Sequence, residues 1–178
     1  SLEHKMGIHA SPTCVMAFGD AGGARGWLVG RPNEGLSAMF TMMNNMRVGV
    51  GIQGVGLAEQ AWQIASRYAR ERVQGRGVDG RPTTIVNHAD VRRMLLTMKS
   101  LTMAARGVAY AVAAAIDVAN HAPSAEARVA GLARAELLTP VVKAWCTEVG
   151  TEVASLGVQV LGGAGYTEDA GAAQVYRD

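Results

Sequence analysis

Apolar residues recur at helical spacing through most of this chain, and the intervals between them divide it into long segments. From about residue 35 to 74, Phe40, Met43, Arg47, Val50, Gly54, Leu57, Ala61 and Ile64 follow one helical face, which predicts a helix of about 60 Å at ~1.5 Å per residue. Gly49, Gly51, Gly54 and Gly56 interrupt it, each at a cost of roughly 0.5–1 kcal/mol relative to alanine, so a closely packed neighbour or a ligand is expected there. Residues 75–82, rich in glycine and ending in Pro82, read as a loop. A second helix follows, capped by Asn87 with Asp90 in its first turn. Its stripe runs from Val91 through Met94, Met98, Leu101, Ala105, Val108 and Val112 to Ile116. Pro123 and Ser124 start a third helix, in which Leu138, Val142, Trp145, Val149, Leu156 and Val160 are the expected buried face and Pro140 a kink. Gly162 and Gly163 end it, and Thr167 or Glu168 begins a fourth.

Residues 1–33 differ in kind. The runs at 13–18 and 25–29 have strand-like content and flank the glycine-rich turn at 19–23. Two strands alone are marginal, so they are expected either to pair with further sequence in a larger sheet, the preferred reading, or to lie against the helical part. The chain thus reads as all-α, a four-helix bundle of up-down topology over residues 34–178, preceded by a short β remnant over residues 1–33.

Composition supports the helical reading and narrows function. Of 178 residues 49% are apolar but only 5% aromatic, which favours close helix packing over a β-sandwich. Seventeen basic against 15 acidic residues give a net charge of +2 with no basic run, a weak case for nucleic acid or an anionic membrane. Cys14 and Cys146 are far apart and no histidines cluster, so neither a disulfide framework nor a metal site is indicated and a reducing cytoplasm fits. No uninterrupted apolar run suggests a bilayer span. A start at Ser1 and a stop soon after the fourth helix begins give the expectation of a piece of a longer protein.

A few residues have chemistry to offer. Arg72 at a helix carboxy end suits the dipole, and a guanidinium there also suits a pyrophosphate. Gln159, Gly162 and Gly163 make a helix stop, or a backbone that a ligand can approach. Arg47, beside the apolar stripe with Asn44 one turn earlier, calls for an anionic partner: a ligand, or an internal acid such as Glu148 or Glu152. His88 reads as a first-turn surface residue.

The signature Gln159-x-x-Gly162-Gly163-x-Gly165-Tyr166-x-x-Asp169, closing on Arg177-Asp178, resembles the carboxy-terminal pattern of the acyl-CoA dehydrogenases, with Gln174 where that pattern has Lys or Arg. Residues 6–13 are similar to the end of that family's middle β-barrel. Asn44-Asn45-Met46-Arg47 resembles an Asp-x-x-Arg that contacts CoA, with Asn44 in place of the acid. Arg70-Glu71-Arg72-Val73-Gln74-Gly75-Arg76 resembles a loop whose arginine reaches an FAD pyrophosphate, one residue shorter and without its Phe. That variant and residues 88–93 look most like the 3-methylmercaptopropionyl-CoA dehydrogenase branch.

The resemblance implies FAD as cofactor of the intact protein, contacted by Arg72, Gln159, Gly162 and Gly163 but retained weakly or not at all by this piece alone, and an acyl-CoA substrate touched by Asn44 and Arg47. It implies α,β-dehydrogenation, with a carboxylate removing the α-proton, the hydride passing to flavin, and an electron-transfer protein as acceptor. The family's base is a glutamate beyond the Arg-Asp pair, or, in a minority, the residue before the arginine of the first bundle helix. That residue is Met46 here, so no catalytic residue is expected within the chain and the piece alone should be inactive. A homo-oligomer, dimer or tetramer, is implied too. Two rivals are a DNA-binding, alkylation-response-type relative and a bundle that serves only oligomerisation.

Overall fold

The computed structural model describes all 178 residues. Three long helices carry the architecture: α1 (Gly35–Glu71), α2 (Ala89–His121) and α3 (Ala125–Leu161), followed by the short α4 (Ala172–Arg177). This is the expected helical bundle. Between α1 and α2 the structure has an antiparallel hairpin of β1 (Val73–Arg76) and β2 (Pro82–Thr84) where a plain loop was expected. Every residue of β1 is exposed, so no alternation of apolar and polar positions announces it.

α1 packs on α3 through its small residues. Gly51, Gly54, Ala58, Ala61, Ala65 and Ala69 are buried, and a methyl group added at Gly54 would lie 2.5 Å from the Cys146 carbonyl oxygen. Across the seam Gly150 is the counterpart: an added Cβ there would lie 3.0 Å from the Gly54 carbonyl oxygen. The expected compensation for two of the α1 glycines is therefore a helix, met backbone to backbone. Gly49 and Gly56 face outward with nothing within 4 Å of an added Cβ.

α2 contributes Met94, Met98, Ala105, Ala109 and Val112 to the core, the stripe its periodicity announces. Its N-cap is His88 rather than Asn87; the Asn87 amide instead donates to Thr83 Oγ1 at 2.8 Å within a 3-10 turn, Ile85–Asn87. The short connection through Ala122, Pro123 and Ser124 makes α2 and α3 antiparallel neighbours, and Ser124 Oγ accepts from the Ala127 N–H. On α3 the buried face is Val142, Cys146, Val149, Val153 and Val160 with Gly150 and Gly157. Trp145 stays 36% exposed, a correction to the expected face, because Cys146 takes the inward position one residue on. The helix runs unbroken through Pro140.

Buried polar residues are few: Ser66, Thr102 and Thr139. Thr102 and Thr139 donate to the carbonyls of Met98 and Ala135 at 2.7 Å, and no buried side-chain nitrogen or oxygen lacks a partner. After α3 the chain makes 3-10 turns at Gly162–Tyr166 and Glu168–Ala170, so the fourth helix begins at Ala172, not at Thr167 or Glu168. Over residues 1–33 the only pairing is the antiparallel bridge Leu2–Cys14. The run at 13–18 thus contributes a single bridged residue, and the run at 25–29, with Trp27 86% exposed, pairs with nothing in this chain.

Candidate functional site

A cavity of ≈ 700 Å³ opens where the carboxy ends of α1 and α3 meet the hairpin and the amino end of α2. Arg72, Gln159, Gly162 and Gly163 all line it. Residues separated by about half of the chain thus come to one place, and local structure explains how each is held.

Arg72 ends α1 and turns the chain into extended backbone, φ −71 and ψ 114. Its N–H bonds the Tyr68 carbonyl at 2.8 Å, and its own carbonyl accepts from the Ile85 N–H at 2.8 Å as the hairpin folds back. The backbone is pinned on both sides while the guanidinium has neither a carboxylate nor a carbonyl partner. Gln159 lies in the last turn of α3, anchored by buried Val160 and Leu161. Its carbonyl accepts the Gly162 N–H, and its side-chain amide is unpaired.

The three glycines of the signature separate by cause. Gly162 has φ +60 and ψ −136, a conformation closed to other residues, and Gly165 is buried against the Val158 carbonyl. Gly163 has neither reason: its φ is not positive and an added Cβ would meet nothing within 4 Å. The chain's own packing does not call for glycine at 163.

No acidic side chain lines the cavity. The amino end of α2 brings about half a positive charge and the carboxy ends of α1 and α3 about half a negative charge each, so the full charge of Arg72 leaves the site net positive. His88 and Gly75 also form the wall. The His88 ring is hydrogen-bonded to the Gln74 carbonyl through Nε2 at 2.8 Å, and Gly75 takes φ +79 beneath that ring, where an added Cβ would lie 3.3 Å from it. No spacing or motif announces this role, since the contact depends on the hairpin.

Asn44 and Arg47 are not brought to this cavity; along α1 Arg47 lies about 37 Å from Arg72. Arg47 Nη1 donates to Asn44 Oδ1 at 3.3 Å, and no ion pair joins it to Glu148 or Glu152. Arg177 is engaged elsewhere, donating through both terminal nitrogens to Glu168 at 2.6 and 3.0 Å. Those hydrogen bonds hold the Glu168 carboxyl below the usual carboxylate range and raise Arg177. The pair ties α4 to the turn that follows the glycines. Gln174, at the position noted for Lys or Arg, reaches Asp178 at 3.4 Å.

Residues 33–178 match the family described as acyl-CoA dehydrogenase, C-terminal domain. The chain is 51% identical over its whole length to 3-methylmercaptopropionyl-CoA dehydrogenase of Ruegeria pomeroyi, covering 30% of that protein. It is 34% identical to a butyryl-CoA dehydrogenase of Syntrophomonas wolfei, with 99% of the chain matched and 30% of the relative. Butyryl-CoA dehydrogenase from Megasphaera elsdenii superimposes on 99% of the chain and 41% of its own, with TM-score 0.76 and 26% identity. The chain spans about 30% of the length of the curated relatives named here.

Proposed function

We propose, from the premise that this chain belongs to the acyl-CoA dehydrogenase family, that it is the domain through which an α,β-dehydrogenating flavoenzyme holds the dinucleotide half of its cofactor and part of its CoA thioester. Members of the family are FAD flavoproteins. The observation that carries the reading is the convergence of Arg72, Gln159 and a sterically unexplained Gly163 on one positively charged cavity free of acidic groups.

In this reading the Arg72 guanidinium meets the pyrophosphate with a fork of donors, while its backbone, fixed by Tyr68 and Ile85, spares the entropy of ordering a loop. The Gln159 amide bonds the adenylate half, and Gly162 and Gly163 let backbone N–H groups come within reach. His88, tied to the Gln74 carbonyl, fixes the wall. When bound, FAD would supply the hydride acceptor. At the far end of α1, Arg47 and Asn44 present a cation and an amide to the CoA moiety. Residues 1–33 are the end of a neighbouring domain of the same enzyme, and an electron-transfer partner reoxidises it.

This reading places the proton-abstracting carboxylate outside these residues, since Met46, at the position where a minority of the family carries it, cannot take a proton. The chain alone therefore binds and does not turn over. The duplex-DNA-binding and purely oligomerising readings gain no support from the matches.

Titration of the chain with ADP, followed by calorimetry, checks the cavity. ADP is expected to bind, Arg72→Gln to weaken it about tenfold or more, the value of one charge-assisted hydrogen bond of ~1.5–3 kcal/mol, and FMN, which lacks the adenylate half, not to compete. Equal ADP affinity in the two proteins overturns the assignment of Arg72. Turnover of an acyl-CoA with an artificial electron acceptor by the chain alone overturns the placement of the base outside it.

A further inference from the structure

Arg72 and His88 are the two basic side chains that line the cavity, and no acidic side chain accompanies them. A closed series of hydrogen bonds registers one against the other. The Arg72 carbonyl accepts the Ile85 N–H at 2.8 Å, the Ile85 carbonyl accepts the His88 N–H at 3.0 Å, and the His88 ring returns to the Gln74 carbonyl through Nε2 at 2.8 Å. A carbonyl oxygen only accepts, so Nε2 carries a proton whatever the charge of the ring. The tautomer is thereby fixed, and Nδ1 is the nitrogen left to a ligand. In the neutral ring Nδ1 offers an anion only a lone pair, which phosphate oxygens avoid. In the charged ring Nδ1–H is a donor to which they bond strongly.

Charge balance points the same way. A dinucleotide pyrophosphate brings two negative charges, and Arg72 answers one of them. The other charged groups near His88 are engaged. Arg76 of the hairpin donates to the Gly80 carbonyl at 2.7 Å, and Arg92 spends its Nε on the Val86 carbonyl at 3.2 Å. Asp90, in the first turn of α2, is paired with Arg93 at 2.8 Å. Tyr68 is the remaining titratable side chain of the lining, and α3 lends none. His88 is the one group there that can gain a positive charge as a ligand arrives.

We infer that His88 takes up a proton as the dinucleotide binds, so that the cavity holds its ligand more tightly as the pH falls. The inference rests on the reading of the cavity as a dinucleotide site and adds a regulation to it. Proton and ligand are linked, each raising the affinity of the chain for the other. An imidazole ordinarily changes charge near pH ~6.5, so a modest acidification loads the site and an alkaline shift empties it.

ADP-ribose is the probe, because its pyrophosphate diester has no group that titrates between pH ~5.5 and ~8.5, where an imidazole does. It is titrated into the 178-residue chain by calorimetry at fixed ionic strength, in two buffers of different ionisation enthalpy, with circular dichroism to verify helical content. The heat is expected to differ between buffers by the uptake of up to one proton per ligand. Affinity is expected to rise about tenfold from the alkaline to the acid end of that range, the value of one charge-assisted hydrogen bond. His88→Gln keeps an amide donor for the Gln74 carbonyl and has no charge to gain. It should bind at every pH as the wild type does at the alkaline end, with heats independent of buffer. Arg72→Gln should weaken binding at every pH and keep the slope. His121 lies at the far end of α2, and His4 and His9 precede the bundle, so a slope lost in His88→Gln belongs to His88. Equal affinity across the range, heats indifferent to buffer, or a slope that survives His88→Gln overturns the inference and leaves the cavity reading standing. Absence of ADP-ribose binding at every pH overturns both.

Discussion

Two halves of α1 belong to one unbroken helix and differ in what their side chains meet. From Gly51 to Ala69 the inward residues are glycine, alanine, valine and serine, and Ala58, Ala65 and Ala69 have no exposure at all. From residue 35 to 50 no residue is buried, although Leu36, Phe40, Met42 and Met46 are larger and more apolar; Leu36 is 66% exposed. Side-chain hydrophobicity thus fails to say which half is core. Side-chain size does, because α3 can come close only where little projects from α1, and contact of backbone with backbone yields dense packing. The functional candidates divide the same way: Arg72 hangs from the end of the packed half, while Asn44 and Arg47 stand on the half that this chain leaves bare.

The sharpest way to break the contrast is Gly54→Val. The added carbons meet the Cys146 carbonyl and the backbone at Thr147, neither of which can swing aside, so a loss of about 3 kcal/mol or more is expected in urea unfolding. A loss under about 1 kcal/mol would mean the seam is not close-packed. Next in size is the acid response of Glu59, whose carboxyl lies below its ordinary value of 4.5, held there first by the Gln63 amide and then by Arg106, each at 2.8 Å. A lowered folded pKa means stability that is present above 4.5 and fades as the pH falls through the folded value. Because Arg106 is 38% and Glu59 29% exposed, the contribution is about 0.5 kcal/mol. Glu59→Gln should remove that share of the pH dependence of unfolding below 4.5 and little at neutral pH. Smallest of all, Phe40→Ser should change stability by under about 0.5 kcal/mol, since the ring touches no core; a large loss in thermal unfolding would give the bare half a hidden packing role.

The same distinction decides what was legible in the sequence. The α2 stripe was readable because large residues, Met94, Met98 and Val112, do the packing there. On α3 apolar residues occur all round, so the period of the large ones indicated Trp145, while the structure buries its small neighbour Cys146. The hairpin escaped because Val73-Gln74-Gly75-Arg76 is solvent-exposed on both faces and Gly80 and Pro82 read as punctuation. With it went His88, whose place by the cavity depends on a hydrogen bond to Gln74 that no spacing announces. Arg72, Gln159, Gly162 and Gly163 were nameable from their motif, but that they share one cavity follows only from α1 and α3 ending side by side. The signature also does not separate its glycines by cause; the dihedral of Gly162 and the empty surroundings of Gly163 do.

The inward turn of Cys146 has one further consequence. Its thiol is fully buried, donates to the Ala105 carbonyl at 3.6 Å, and is pushed up in pKa by burial, whereas Cys14 lies on the exterior. Only a thiolate is alkylated readily, so one of these sulfurs reports solvent and the other reports how often α1, α2 and α3 part. The ratio of their labelling rates is a clock for that opening, built into the protein and readable without adding a probe.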